Sequence, residues 1–165
     1  MTAKFKVAAG EFKTVKKWGN KRIPRTSLEH LWEEIGVEYK RKSGVYVFGM
    51  RASKGAKPLY VGMTMDQSFG DRIYQHVYHG TFNRYMKGIK RGTPCLFVIG
   101  RVGKGRRSTD AIYALELEFI NYCFSKNKRL HNRRRIKRPA FVVQGFGRGG
   151  GRLQAVKDLK MMIGW

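Results

Sequence analysis

Along the chain the apolar residues change their spacing several times, and each change marks an element. In SLEHLWEEIG, Leu28, Leu31, Trp32 and Ile35 recur every three or four positions, as on one face of a helix. Thr26, Ser27 and Glu29 supply a capping-box start, and Gly36 supplies an end. SGVYVFGM and LYVGM are instead short runs of β-branched and aromatic residues. They predict strands at Gly44–Met50 and Leu59–Met63, with ASKGAKP as the turn of a hairpin. Helical spacing returns over Phe69–Tyr78, with Ile73 and Val77 on one side, and again over Phe82–Ile89. CLFVIGRV, opened by Pro94, predicts a third strand. The helix that follows, Asp110–Phe124, can be capped by Ser108 or Thr109 and is apolar enough to be the central core helix.

Both ends carry additions. The first 25 residues are basic and irregular, with a short strand at Lys4–Val7. After the core helix come a strand at Phe141–Val143, the loop GFGRGGG, and a helix at Arg152–Ile163. That helix has Leu153, Val156, Leu159 and Ile163 on one face. A length of 165 residues buries one core rather than two. The order β-β-α-α-β-α reads as a small mixed α/β (α+β) domain. The division expected is a basic N-terminal segment with one helix packed on the core (1–42), a central domain (43–138) and a C-terminal extension (139–165).

Charge narrows the function. Thirty-five Lys and Arg stand against eleven Asp and Glu, a formal +24. Such a surface repels itself and suits a polyanion, first of all nucleic acid. A basic RNA- or ribosome-associated protein fits that number as well as an enzyme does. Four of the acids, Glu29, Glu33, Glu34 and Glu38, crowd around the first helix, the segment least suited to touch DNA. No apolar run reaches 18 residues, and MTAKFKVAAGEF lacks the apolar stretch of a signal peptide. The expected location is cytoplasmic or nucleoid-associated, not secreted and not membrane-bound. Cys95 and Cys123 sit in apolar surroundings and read as reduced packing residues.

Candidate chemistry begins with a misplaced charge. On a wheel of 100° per residue, Glu116 falls among Ile112, Tyr113, Phe119, Ile120 and Cys123. Glu118 falls opposite, near Ala114, Asn121 and Ser125, where a carboxylate can face solvent. A carboxylate in an apolar stripe needs a partner: an internal arginine, or a cation such as Mg²⁺ that keeps most of its waters. Arg72 and His76, four apart, share a helix face; they are either ordinary surface polarity or a phosphate and proton-transfer pair. Tyr46 and Tyr60, each beside a glycine of its strand, are either amphipathic sheet residues or two phenols presented to one ligand.

Gly44-Val45-Tyr46 followed by Tyr60-Val61-Gly62, Arg72 in FGDRI, His76 after it, Glu116 and Ile120 in a Glu-x-x-x-Ile pattern, and Asn132 in RLHNRR together resemble the GIY-YIG nuclease family. The resemblance spans about residues 43–132. Both central residues of the signature triplets are valine here, and Asn132 lies farther from Glu116 than in many relatives. The resemblance implies a small three-stranded sheet flanked by helices. It implies a metal-dependent DNA endonuclease of restriction, phage or homing type, leaving 5′-phosphate and 3′-hydroxyl ends. The implied catalytic set is Tyr46, Tyr60, Arg72, His76, Glu116 and Asn132. Glu116 would hold Mg²⁺ or Mn²⁺, Arg72 neutralise the phosphate, Tyr46 act as general base, Tyr60 orient water or phosphate, and His76 relay the proton.

Double-stranded DNA is the implied partner, and a palindromic site would require a homodimer or successive nicks. Two basic tracts flank the glutamate helix and are expected to contact phosphates. One holds Arg101, Lys104, Arg106 and Arg107; the other holds Lys128, Arg129, Arg133, Arg134 and Arg135. The alternative is a DNA- or RNA-binding protein that keeps the fold and does not cut.

Overall fold

The computed structural model describes residues 3–102, 109–132, 141–143 and 154–164. Its frame is one five-stranded sheet. The strands are β1 (Ala3–Glu11), β4 (Gly44–Ala52), β5 (Gly55–Thr64), β6 (Thr93–Arg101) and β7 (Phe141–Val143), in the order β5-β4-β6-β1-β7. Among the described residues the β1–β7 pair is parallel and the other pairs of this sheet are antiparallel. A separate small hairpin pairs β2 (Val15–Lys17) with β3 (Asn20–Arg22). The helices are α1 (Ser27–Ile35), α2 (Phe69–Tyr78), α3 (Thr81–Tyr85), α4 (Thr109–Lys126) and α5 (Gln154–Ile163).

The three central strands are those the sequence predicts, but the sheet has five strands rather than three. The segments before and after the central region contribute the other two, β1 against β6 and β7 against β1. An edge exposes unpaired backbone groups, and added strands cover it. Part of ASKGAKP is strand rather than turn: β5 begins at Gly55, leaving Ser53 and Lys54 as the turn. Pro58 sits within β5, which is tolerable because β5 is the outer strand. A bulge between Phe48 and Gly49 falls opposite it. The second short helix ends at Tyr85, not at Ile89.

Strand pleating sorts side chains onto two faces, and both are covered. Val45, Val47, Val61, Cys95, Phe97 and Ile99 pack with Ile112, Leu115, Phe119 and Ile120 of α4 and with Val156, Leu159 and Ile163 of α5. Tyr46, Phe48, Leu96 and Val98 pack on the other side with Leu31, Trp32 and Ile35 of α1 and with Phe69, Ile73 and Val77 of α2. Burial on both faces explains why β4 and β6 read as unbroken apolar runs. Cys95 and Cys123 are free and buried. No described helix is long and apolar enough to cross a membrane.

Candidate functional site

β4 turns Tyr46 toward the α2 face of the sheet, where it is wholly buried. Its cross-strand partner is Gly62, and a Cβ there would overlap the Tyr46 phenol. The glycine of the second triplet is thus the space in which the tyrosine of the first lies. Gly44 answers a similar demand, since a Cβ there would collide with the Ile99 carbonyl of β6.

α2 supplies the next two groups. Ser68 caps it, its hydroxyl accepting from the Asp71 amide at 3.1 Å, and buried Phe69 and Ile73 fix its roll. That roll turns His76 inward, where its Nε2 lies 2.6 Å from the Tyr46 hydroxyl. Burial pulls the His76 pKa down to about 4, helped by the positive charges of Arg72 and His79. Burial likewise pushes Tyr46 up, reinforced by Tyr60 and opposed by Arg72. Both groups are therefore neutral at pH 7, and the hydrogen bond between the Tyr46 hydroxyl and Nε2 joins a neutral phenol to a neutral imidazole.

Arg72 is half-buried, one turn before His76, and acts on both Tyr46 and His76. Its Nη1 donates to Gln75 at 3.4 Å, while its buried Nε has no hydrogen-bond partner among the described residues. Tyr60 is half-buried, with ring centroids 6.2 Å from Tyr46 and 5.8 Å from His76. Four of the six expected catalytic residues therefore meet on one face of the sheet.

Two further aromatic residues join them. Tyr85 of α3 stacks on Tyr60 at 5.0 Å, and His131 stacks on Tyr85 at 4.2 Å. Neither stands out in the sequence, because Tyr85 lies in a short polar helix and His131 in a basic tract. Their one signal is that an aromatic residue interrupts each basic run. Phe82 closes the inner side, stacked on the His76 ring at 4.8 Å.

The other two expected residues lie elsewhere, Glu116 on α4 over the opposite face of the sheet and Asn132 at the outer edge of β5. Glu116 is buried, at 8% exposure, as its place on the wheel predicts. Its helix α4 covers the face of the sheet opposite the two tyrosines. Glu118 is half-buried and accepts a hydrogen bond from Tyr122, and Tyr113 of the expected apolar stripe is exposed. Asn132 lies along that same edge. Its Oδ1 accepts from the Val61 amide at 3.1 Å and its Nδ2 donates to the Val61 carbonyl. Asn127 donates to the Pro58 carbonyl at 2.6 Å and the His131 amide to the Leu59 carbonyl at 3.0 Å. Residues 127–132 thus pair with backbone groups of β5 between Pro58 and Val61, and the Asn132 side chain belongs to that seam.

Of the basic tracts, Arg101 ends β6, half-buried. Lys128 and Arg129 are exposed, and the Lys128 ammonium lies 4.7 Å from the Phe124 ring centroid. Lys104, Arg106, Arg107, Arg133, Arg134 and Arg135 lie outside the described residues. Among the described residues, no three of His, Cys, Asp and Glu come together in a group able to hold a metal ion. No family model, curated protein or solved structure matches this chain.

Proposed function

We propose that the chain is a divalent-metal-dependent DNA endonuclease built on a GIY-YIG-like core. The observation that carries this reading is the meeting of Tyr46, Tyr60, Arg72 and His76 around one 2.6 Å tyrosine–histidine hydrogen bond, in a chain of net charge +24. Phenols, a guanidinium and a neutral imidazole together form a set for phosphate binding and proton transfer.

The donors suit a hard cation that keeps most of its own water. Glu116 offers one buried carboxylate, enough for Mg²⁺ or Mn²⁺ in the company of phosphate oxygens and too little for a cage of protein ligands. When bound, such an ion supplies Lewis-acid stabilisation of the scissile phosphate and the leaving 3′ oxygen.

The roles of the protein groups follow from their exposure. Tyr60 is half-buried and meets water; Tyr46 is sealed behind it and bonded to His76. This moves the water-facing role from Tyr46, which the family resemblance implied, to Tyr60. As the water oxygen bonds to phosphorus, its proton passes to the Tyr60 oxygen, that of Tyr60 to Tyr46, and that of Tyr46 to Nε2 of His76. The bond from phosphorus to the 3′ oxygen breaks, that oxygen takes up a proton from solvent water, and His76 returns its proton to solvent, which restores the neutral pair. The products are a 5′-phosphate and a 3′-hydroxyl.

A His76 pKa near 4 makes it a weak acceptor in the free protein. Part of that depression comes from Arg72, whose Nε–H, without a partner among the described residues, suits a phosphoryl oxygen. A phosphate on Arg72 offsets its charge and raises the basicity of His76 as substrate arrives.

The test is cleavage of plasmid and linear DNA with Mg²⁺, with Mn²⁺ and with EDTA. Products that vanish with EDTA and carry 5′-phosphates support the reading. Tight, salt-sensitive binding without cleavage of plasmid, linear or branched DNA would overturn it in favour of a non-cleaving binder. The complete burial of Tyr46 favours that second reading, in which its hydrogen bond to His76 only holds the core together.

A further inference from the structure

The β2–β3 hairpin breaks a local rule. Its two-residue turn is Trp18-Gly19, with φ of 50° and 74°. A turn with both central residues at positive φ favours Asn or Asp followed by Gly, and a bulky residue there is an outlier. Trp18 is 82% exposed, so core packing does not offset the misfit. The hairpin base is held firmly. Phe12 before it packs edge-on to Phe48 and Phe82, and Ile23 after it is buried, its amide donating to Asn83 Oδ1 at 2.9 Å. A strained, exposed indole on an anchored base is the pattern of a functional contact.

Between the hairpin and the α3 region lies a cleft of about 590 Å³. Seven of its fifteen lining residues are Lys or Arg, and none is acidic. The hairpin contributes Lys16, Lys17, Lys21 and Arg22, and the α3 side contributes Arg84, Lys87 and Lys90. The Lys17 ammonium lies 4.8 Å from the Trp18 ring centroid and the Arg22 guanidinium 5.9 Å away. One site thus combines an exposed aromatic ring, flanked by two cations, with further Lys and Arg side chains and no acid. The size is that of one or two nucleotides, within the usual range of roughly 300–1,000 Å³ for ligand pockets.

We propose that this cleft binds an unpaired nucleic-acid strand, with its phosphates on the Lys and Arg side chains and a base stacked on Trp18. Duplex shows no base face along its length, so the exposed indole gains most from a base already out of the stack. α3 borders both regions: Arg84 lines the cleft, while Tyr85 stacks on Tyr60 of the candidate site. The inference does not depend on the chemistry proposed above.

The experiment is fluorescence anisotropy in EDTA with a labelled dT12, an rU12 and a 12-base-pair duplex. The proteins are the native chain, Trp18→Phe, Trp18→Ala and Trp18→Asn. Tighter binding of either single strand than of duplex is expected, and the stronger of the two names the sugar. Trp18→Ala should weaken single-strand binding about tenfold or more, with little change for duplex, and Trp18→Phe should keep most of the affinity. Trp18→Asn provides the second readout. Asn suits this turn, so the melting temperature should hold or rise while single-strand binding falls. A lower melting temperature in Trp18→Asn with unchanged binding would make Trp18 structural and overturn the proposal. Equal losses for single strand and duplex in Trp18→Ala would also overturn it. Because EDTA removes cleavage from the assay, neither result depends on whether the chain is a nuclease.

Discussion

The Tyr46 hydroxyl stands 2.6 Å from Nε2 of His76, and the two side chains are all but sealed, at 0% and 8% exposure. A buried polar pair of this kind is costly to break and sensitive to charge. Tyr46→Phe leaves Nε2 without its hydrogen-bond partner and should lower stability by about 1–3 kcal/mol. Tyr60→Phe, at the half-buried end, should change stability far less. If the two phenols form one relay, both variants lose about 10²–10⁴ in single-turnover cleavage. Denaturant unfolding and cleavage run side by side separate the effects, and a Tyr60→Phe protein that cuts at the native rate removes the relay.

The same pair predicts a pH dependence. The folded pKa of His76, about 4, lies below its ordinary value of 6.5. Between those values the unfolded chain binds the proton and the folded chain does not, so stability rises with pH across that interval. The contribution of His76 is full above about pH 6.5 and is lost as pH falls toward 4; it amounts to at most about 3 kcal/mol. His76→Gln cannot be protonated there. The denaturant midpoint of the native chain should therefore fall more steeply than that of His76→Gln between pH 7 and pH 4.5. Parallel midpoints would place the histidine in contact with solvent.

Two carboxylates on α4 are separated by one residue and should behave differently. Glu116→Gln is expected to abolish metal-dependent cleavage. Glu118→Gln should cut normally, because its partner is the Tyr122 hydroxyl. Burial and the Glu118 charge push Tyr122 up to about 12, so Glu118→Gln should move its absorbance titration toward the ordinary value near 10. Loss of cleavage in both variants, with unchanged melting, would reject the assignment to Glu116 alone.

Asn132 completes the outer edge of β5 by pairing both backbone groups of Val61. Asn132→Ala should cost about 1–3 kcal/mol and speed hydrogen exchange at the Val61 amide. Asn132→Asp can still accept from that amide but cannot donate to the carbonyl, so it should rescue only part of the loss. An Asn132→Ala protein with native stability and no cleavage would make the side chain a member of the reacting site instead.

Local chemistry alone determined some of this protein. Phe69–Tyr78 is legible to the residue, because Ser68 caps it and Phe69, Ile73 and Val77 keep the helical period. The burial of Glu116 is legible too, since a wheel needs only the sequence. The Trp18-Gly19 hairpin is not, because Val15–Lys17 and Asn20–Arg22 are almost wholly polar and carry no period to read. Beyond Val7, β1 continues as Ala8-Ala9-Gly10, which becomes strand only because β6 pairs with it. Tertiary packing alone decided that Tyr46 faces α2 while Glu116 arrives from α4 on the other face, and that Tyr85 and His131 stack beyond Tyr60. The physical reason is range: capping and periodicity act within a turn or a pleat, whereas the face a helix covers is set by contacts between residues far apart in the chain.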